Sequence, residues 1–413
     1  MGTERKTRKI NIIKRFLKQK AKSKAKSRSQ NVREGERKSG LELVNGTRRR
    51  RRIIRIVSLS IVAIIVLTVF IINLLTPTGL IELIQNSYSA SGRGSFPVGV
   101  YSTNALSFGC RNDIVTVVND TFFEVYNTDG KLIQAASHGM SNPTLEESEA
   151  RFLLFDRERY GISVFNYGNE LYTKQFDKTI ISAAIGRDGT YAVATSSDTY
   201  KNTVFVYNKD NELVYTWNSA SYYVTDVAVS DDGDSIAVSL LNSNAGAFES
   251  FIYILNFDSA SPKHKYTFND IVSSITDCGD YLLVNGFDIS HTIKYEGGEL
   301  DLGINGTVRC YDFDFNGNSV MVYGRGDNEQ VNTVTVIGEN GNIKSSFGFN
   351  AAVIDVCINE KNVTLLTPTA CYIYDLKGNL KTELPFEYKG LFVGLSEDSE
   401  ILILDNSKLL KLN

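Results

Sequence analysis

The sequence predicts an all-β protein: an eight-bladed β-propeller, with seven blades as the alternative, behind a single N-terminal transmembrane helix and a disordered basic tail. Three observations predict it. A hairpin phrase recurs along the chain, an uninterrupted apolar run lies near the N-terminus, and the charge balance changes sign across that run. The tail, the span and the ring are justified below in chain order.

The formal net charge of −3 over 413 residues conceals an asymmetry. Residues 1–55 carry 21 Lys and Arg against 4 Asp and Glu, whereas the remainder carries 23 against 43. Ends that differ this much face different surroundings. Residues 1–52 form the basic segment, rich in Lys, Arg, Ser and Gln, and bury too little apolar surface to fold alone. Within them KINIIKRFLKQK puts Ile10, Ile13, Phe16 and Leu17 on one helical stripe with lysines opposite. That pattern suits a helix on an anionic membrane leaflet, and equally a solvated tail.

The apolar run IVSLSIVAIIVLTVFIINLL, residues 56–75, holds no charge, Pro or Gly. Twenty helical residues at ~1.5 Å each reach ~30 Å, the thickness of a bilayer's hydrocarbon core. The span is set at residues 53–75. Arg48, Arg49, Arg50, Arg51 and Arg52 precede it, placed to meet lipid headgroups. Because Lys and Arg collect on the cytoplasmic side, the N-terminus is expected inside the plasma membrane and the acidic bulk outside. An arginine run directly before a span is read this way and not as a nucleic-acid patch, so no nucleic-acid partner is expected. The basic region is too long for a cleaved signal peptide, and no A-x-A site follows the apolar run, so the segment reads as an uncleaved signal anchor. Residues 76–93 read as a linker.

From about residue 105 two hairpin types alternate. The first has a tight turn: AAIGRDGTYAVAT, VAVSDDGDSIAVS, YDFDFNGNSVMVY, VCINEKNVTLLT and VGLSEDSEILIL. The second is the phrase FEVYNTDGKLIQ, SVFNYGNELYTK, VFVYNKDNELVY and YIYDLKGNLKTE, with weaker copies between. Period-2 alternation around Asp-Gly, Asn-Gly or Gly-Asn is the hairpin signal. Turns of the second type fall near residues 129, 168, 210, 259, 297, 340 and 378, an average spacing of about 41, the length of a four-stranded propeller blade. One blade cannot cover both its faces, so the repeat needs its ring. After VGLSEDSEILIL only DNSKLLKLN remains, enough for a third strand and too little for a fourth. The strand GSFPVGVY, residues 94–101, has no partner in the first repeat and is predicted to complete the last blade within a propeller spanning 94–413. Seven blades stay open as an alternative because the AB hairpin of the second repeat, RFLLFDRERYG, is weakly written.

The basic tail, the signal anchor, GRGSFPVGVY and the [VI]-[YF]-[ND]-x-x-G/N-x-L hairpins together resemble a family of uncharacterised membrane-anchored propeller proteins of Gram-positive, Clostridia-type bacteria. The repeats are also similar to WD40-like and quinoprotein-like propellers. This chain departs from both, having no Gly-His…Trp-Asp pair per blade and one tryptophan, Trp217. Quinone binding, sialidase and glycosidase activities are therefore not carried over, and no cofactor is expected.

No residue is identified as catalytic and no metal site is expected. Five cysteines stand singly without a C-x-x-C pair; a Cys357–Cys371 bridge is an open alternative to free buried thiols. Three aspartates, Asp226, Asp312 and Asp355, are 86 and 43 residues apart, matching two repeats and one, and read as one position of the channel-lining strand. Their carboxylates either ring a channel mouth, where they attract a cation or basic peptide, or cap backbone N–H groups of the incoming loop. Residues 312–317, DFDFNG, resemble the start of a calcium loop, but Tyr323 stands at the twelfth position, where a Glu is needed. Tyr200, Tyr222, Tyr223 and Phe248 fall in loops and are the candidates for ligand contact; the longest insertions, SSDTYKN and the loop LLNSNAGAFES, hold Tyr200 and Phe248. The expected function is a non-catalytic binding or scaffold module for a protein or envelope polymer. An envelope hydrolase or lyase working at the channel mouth is the alternative.

Overall fold

The strand Ile114–Asn119 is buried at every position, as are Arg151–Asp156, Leu282–Gly286 and Ile401–Leu404. Such strands need a covering layer on both faces. The computed structural model, which describes residues 19–20, 22–27, 53–72 and 76–412 except 245, 305, 327 and 388, shows what covers them. Eight four-stranded antiparallel sheets form, seven of them meanders of consecutive strands. Their innermost strands are Ala105–Arg111, Pro143–Glu147, Ile180–Ile185, Tyr223–Val229, Val272–Asp277, Thr307–Phe313, Asp355–Ile358 and Phe392–Leu395. Each lies beside the next, and the last returns to the first. The architecture is an eight-bladed propeller. Strands are named A to D outward in each blade; AB and CD turns then share one face of the ring, and BC and DA connections the other.

Among the described residues the apolar core divides into eight clusters, and each joins two adjacent blades. Ala192, Val204 and Trp217 of the third blade, for example, pack on Val227, Ile236 and Phe251 of the fourth. A fully buried Val, Leu or Ile side chain contributes roughly 1.5–3 kcal/mol. That contribution exists here only across blade boundaries, which is why the repeat has no stable unit smaller than the ring. Outer strands, by contrast, read exposed and half-buried in turn, as in Leu132–Ser137 and Glu170–Gln175.

The eighth blade holds three strands from the C-terminus and one from before the first blade. Val98–Gly99 pairs with Leu409 and Lys408, and the Val100 N–H donates to the Ser407 carbonyl at 3.0 Å. Regular pairing is thus shorter than the 94–101 strand expected. Phe96, Val98 and Val100 nevertheless pack with Val115, Leu402, Leu404 and Leu409, so the closure is an apolar seam as well as a ladder. Gly94 lies so close to the Gly130 turn that a Cβ there would sit 2.1 Å from a backbone carbon.

Several expectations are corrected. RFLLFDRERYG is not an AB hairpin: it contributes strand B and the BC turn, and strand A is Pro143–Glu147. LLNSNAGAFES is not an open loop. Strands Ser235–Asn244 and Ala247–Asn256 pair as far as Asn244 and Ala247, because alternation continues to a tight turn at Gly246 (φ 88°). All five cysteines are free, so Cys357 and Cys371 are not bridged.

The chain divides into two units, Met1–Asn73 and Leu74–Asn413. In the first, α1 (Ile53–Ile72) is long and apolar enough to cross a membrane. Residues 22–27 are helical and exposed, within a tail expected to be disordered. Arg48 to Arg52 and the stripe Ile10 to Leu17 lie outside the described residues. In the second unit, the segment read as a linker contains α2 (Leu80–Ala90). This helix is docked: Glu82 is buried against Arg151, with Nε–Oε1 and Nη2–Oε2 both 2.7 Å. Asn86 donates to the Ala150 carbonyl and accepts from the Tyr167 N–H, and Lys131 donates to the carbonyls of Ser89 and Ser91. These partners lie in AB or CD turns or, for Arg151, at the strand end that leaves the AB turn, so α2 sits on that face, over blades one and two.

Candidate functional site

The innermost strands of all eight blades enclose an axial cavity of about 440 Å³. Nine carboxylates and three arginines line it, so its potential favours cations. Asp226, Asp312 and Asp355 are all among the lining residues. They do not share one position. Counted back from the AB turns, which begin at Ser230, Asp314 and Asn359, Asp226 and Asp355 are equivalent, and Asp312 stands two residues nearer the turn. Unequal loops made the repeat distances coincide. Two residues along a strand preserve the face, so all three still point into the channel.

Their hydrogen bonds show what they do structurally. Asp226 accepts from the Ile275 N–H of the next blade at 2.9 Å and from the Ser182 hydroxyl of the previous one at 2.6 Å. Asp355 accepts from the Val393 N–H at 2.9 Å, and Asp312 from the Ile358 N–H at 3.0 Å. Each carboxylate therefore ties strand A of its own blade to strand A of the next, where capping of an incoming loop had been expected. In the turn at 312–317, Asp314 accepts from the N–H groups of Asn316 and Asn318, which accounts for the aspartates without calcium.

Arg111 is the residue that sequence reasoning missed. It crosses the channel from blade one to Asp312 in blade six (2.5 Å) and Glu147 in blade two (2.7 Å). Its Nε donates to the Phe313 carbonyl, and the guanidinium lies 4.6 Å from the Phe313 ring centre. Burial works against its charge, but Asp312 and Glu147 overcome that and hold its pKa above the ordinary value. The available signal was positional. Arg111 occupies the last place of strand A, where Ile185, Val229, Phe313 and Ile358 stand in other blades.

Burial raises several of the lining carboxyls. Asp226 and Asp312 both shift upward for that reason, opposed by their hydrogen bonds and, at Asp312, by Arg111. Asp355 is pushed up to about 7 by burial, and Glu146 to about 8 by burial and the nearby Asp226. Asp277, at the AB end, rises through burial and the proximity of Asp231. Among the described residues no group of His, Cys, Asp and Glu is arranged to hold a metal ion.

The loop candidates gather on the BC face of blades three and four. Tyr200 is 43% exposed, Tyr223 55% and Phe248 49%. Lys201 lies against Tyr223, its Nζ 2.9 Å from the hydroxyl and 4.5 Å from the ring's centre. Tyr222 does not join them: it turns inward, its ring 4.6 Å from Phe251 and packed on the core between the two blades. Tyr222 stands just before the strand and packs inward, while Tyr223, the strand's first residue, faces out.

Over residues 100–286 the chain is similar to a family of unknown function, DUF5711. That range covers the first four blades and two strands of the fifth. No curated protein matches the chain significantly. Among solved structures it is similar to the C-terminal WD40 domain of Sif2, with 12% identity and a TM-score of 0.53 over 78% of this chain and 100% of that one. Saccharomyces cerevisiae Sqt1 gives 8% identity and 0.53 over the same shares. BamB from Moraxella catarrhalis gives 8% and 0.48, covering 78% and 99%. At these identities the likeness is one of fold.

Proposed function

We propose that the chain is a non-catalytic binding or scaffold module, a propeller held outside the plasma membrane by α1 with its N-terminus in the cytoplasm. Its ligand is a protein or a neutral or basic envelope polymer. The observation that carries this reading is the exposed set Tyr200, Tyr223 and Phe248 on one face of blades three and four, with Lys201 held against Tyr223. Tyr223 opens a strand and Phe248 stands on a hairpin whose strands run ten residues each, so these two lose little freedom on binding. Tyr is a frequent anchor of such interfaces. Asp226, Asp312 and Asp355 support the non-catalytic reading, because their oxygens already accept hydrogen bonds that join blades. The acidic excess beyond residue 55 disfavours anionic polymers.

The test is co-purification of envelope material with the full-length protein, comparing wild type with a Tyr200→Ala, Tyr223→Ala, Phe248→Ala triple variant. Retention should fall at least tenfold while thermal unfolding stays unchanged; equal retention by both proteins overturns the reading. One observation favours the hydrolase or lyase alternative. Glu146, pushed up to about 8, is a carboxylic acid able to donate a proton inside a cavity. Turnover of an envelope substrate that disappears in Glu146→Gln would establish it.

A further inference from the structure

The helix α2 is amphipathic with its polar side inward. Glu82, Asn86 and Ser89, at i, i+4 and i+7, make the contacts to the propeller. The opposite stripe is apolar and open: Ile81 is 74% exposed, Ile84 58% and Tyr88 81%, at i, i+3 and i+7. A surface helix in water normally shows the reverse arrangement. Here the polar face cannot rotate outward, because a buried two-point Glu82–Arg151 pair holds it.

We propose that α2 lies on a bilayer surface, with Ile81, Ile84 and Tyr88 inserted at the boundary between headgroups and acyl chains. The proposal rests on the reading of α1 as a membrane anchor. Covalent reach then selects lipid as the occupant. Seven residues separate Ile72 from Leu80, at most about 28 Å of extended chain. Wherever α1 leaves a membrane, α2 begins near its surface. The chemistry agrees: an aliphatic stripe with a tyrosine is the composition of interfacial helices, and the Tyr ring favours the headgroup level. Eleven helical residues extend about 16 Å, enough for three side chains to enter the interface together. Because α2 is fixed to the AB/CD face, that face turns toward lipid. The face bearing Tyr200, Tyr223 and Phe248 then points away from the membrane, toward its ligand. The helix becomes a bracket that sets the orientation of the binding face, where a flexible tether would leave it free to tumble.

The experiment uses full-length protein in vesicles of phosphatidylcholine and phosphatidylglycerol, with a nitroxide at an introduced cysteine: Ile84→Cys, Tyr88→Cys, Phe248→Cys or Ile61→Cys. Collision with oxygen reports lipid, and collision with a water-soluble nickel chelate reports water. At positions 84 and 88 the oxygen-to-nickel collision ratio should exceed that at 248 by at least fivefold. Equal ratios at 84, 88 and 248 overturn the proposal, as does shielding of 84 and 88 from both reagents, which would mean a protein partner or a second copy. The label at 61 reports the anchor independently. Lipid exposure at 61 with water exposure at 84 and 88 sinks the bracket and leaves the anchor standing. Water exposure at 61 removes the anchor, and the proposal with it.

Discussion

The two faces of the ring display apolar surface by opposite means. On the BC face, Tyr223 and Phe248 are exposed because alternation along paired strands carries them outward, and Tyr200 because it stands in a short connecting bend. On the AB/CD face, Ile81, Ile84 and Tyr88 are exposed because a buried ion pair holds a helix polar side down. The first arrangement follows from local geometry and tolerates mutation. The second depends on two charges from distant parts of the chain, and breaking it costs far more. The channel belongs with the second kind, since Arg111 joins blades one, two and six through charge.

Substitutions ranked by expected effect sharpen that contrast. Arg151→Ala leaves Glu82 buried without its partner, a change that costs about 3–5 kcal/mol. Thermal unfolding should shift down by many degrees, and residues 80–90 should become sensitive to protease in the native protein. An unchanged digestion pattern would show that something other than the ion pair places α2. Arg111→Met removes both channel pairs and leaves Glu147 and Asp312 uncompensated, with an expected loss of about 3 kcal/mol at pH 8. The loss should shrink as pH falls, because Asp312, whose carboxyl burial already raises, takes up a proton and no longer needs the cation. A pH-independent loss would mean that Arg111 acts through packing on Phe313 alone.

A smaller effect comes from the raised carboxyls. Glu146 at about 8 and Asp355 at about 7 bind a proton in the folded state at pH values where the unfolded chain has released it. Wherever the folded state holds more protons, stability falls as pH rises. The contribution of each group is therefore fully present below its unfolded value, near 4.5 for Glu and 3.8 for Asp. It is lost progressively up to about 8 and about 7 respectively, at no more than about 1.4 kcal/mol per pH unit per group. Melting temperatures measured between pH 5 and pH 8 should decline, and Glu146→Gln should flatten the upper part of that decline. A rising profile would contradict the burial of these groups. Smallest of all on stability, alanine at Tyr200, Tyr223 or Phe248 should change unfolding by no more than about 0.5 kcal/mol.

Legibility followed the same division. The ring was readable because hairpin turns are local. Asp-Gly and Asn-Gly at fixed intervals mark each blade, and the missing strand after VGLSEDSEILIL pointed to the partner found in Val98–Gly99. The second blade was misassigned because its strand A, PTLEE, carries the channel-lining Glu146 and Glu147 in place of an apolar alternation. α2 was read as linker because eleven residues with a polar inward face lack the usual mark of a packed helix. Tyr222 and Tyr223 were indistinguishable until a strand decided which one faced the core.

By itself the sequence determined the all-β ring, its eight repeats, the closure between its ends and an apolar segment of spanning length. These depend on periodicity and turn chemistry, both set within a few residues. Only the tertiary structure decided that Arg111 reaches across the axis, that the three aspartates join blades, and that Glu82 meets Arg151 so that α2 shows its apolar side. Those are pairings between residues dozens to hundreds of positions apart, and no local pattern encodes which charge will find which.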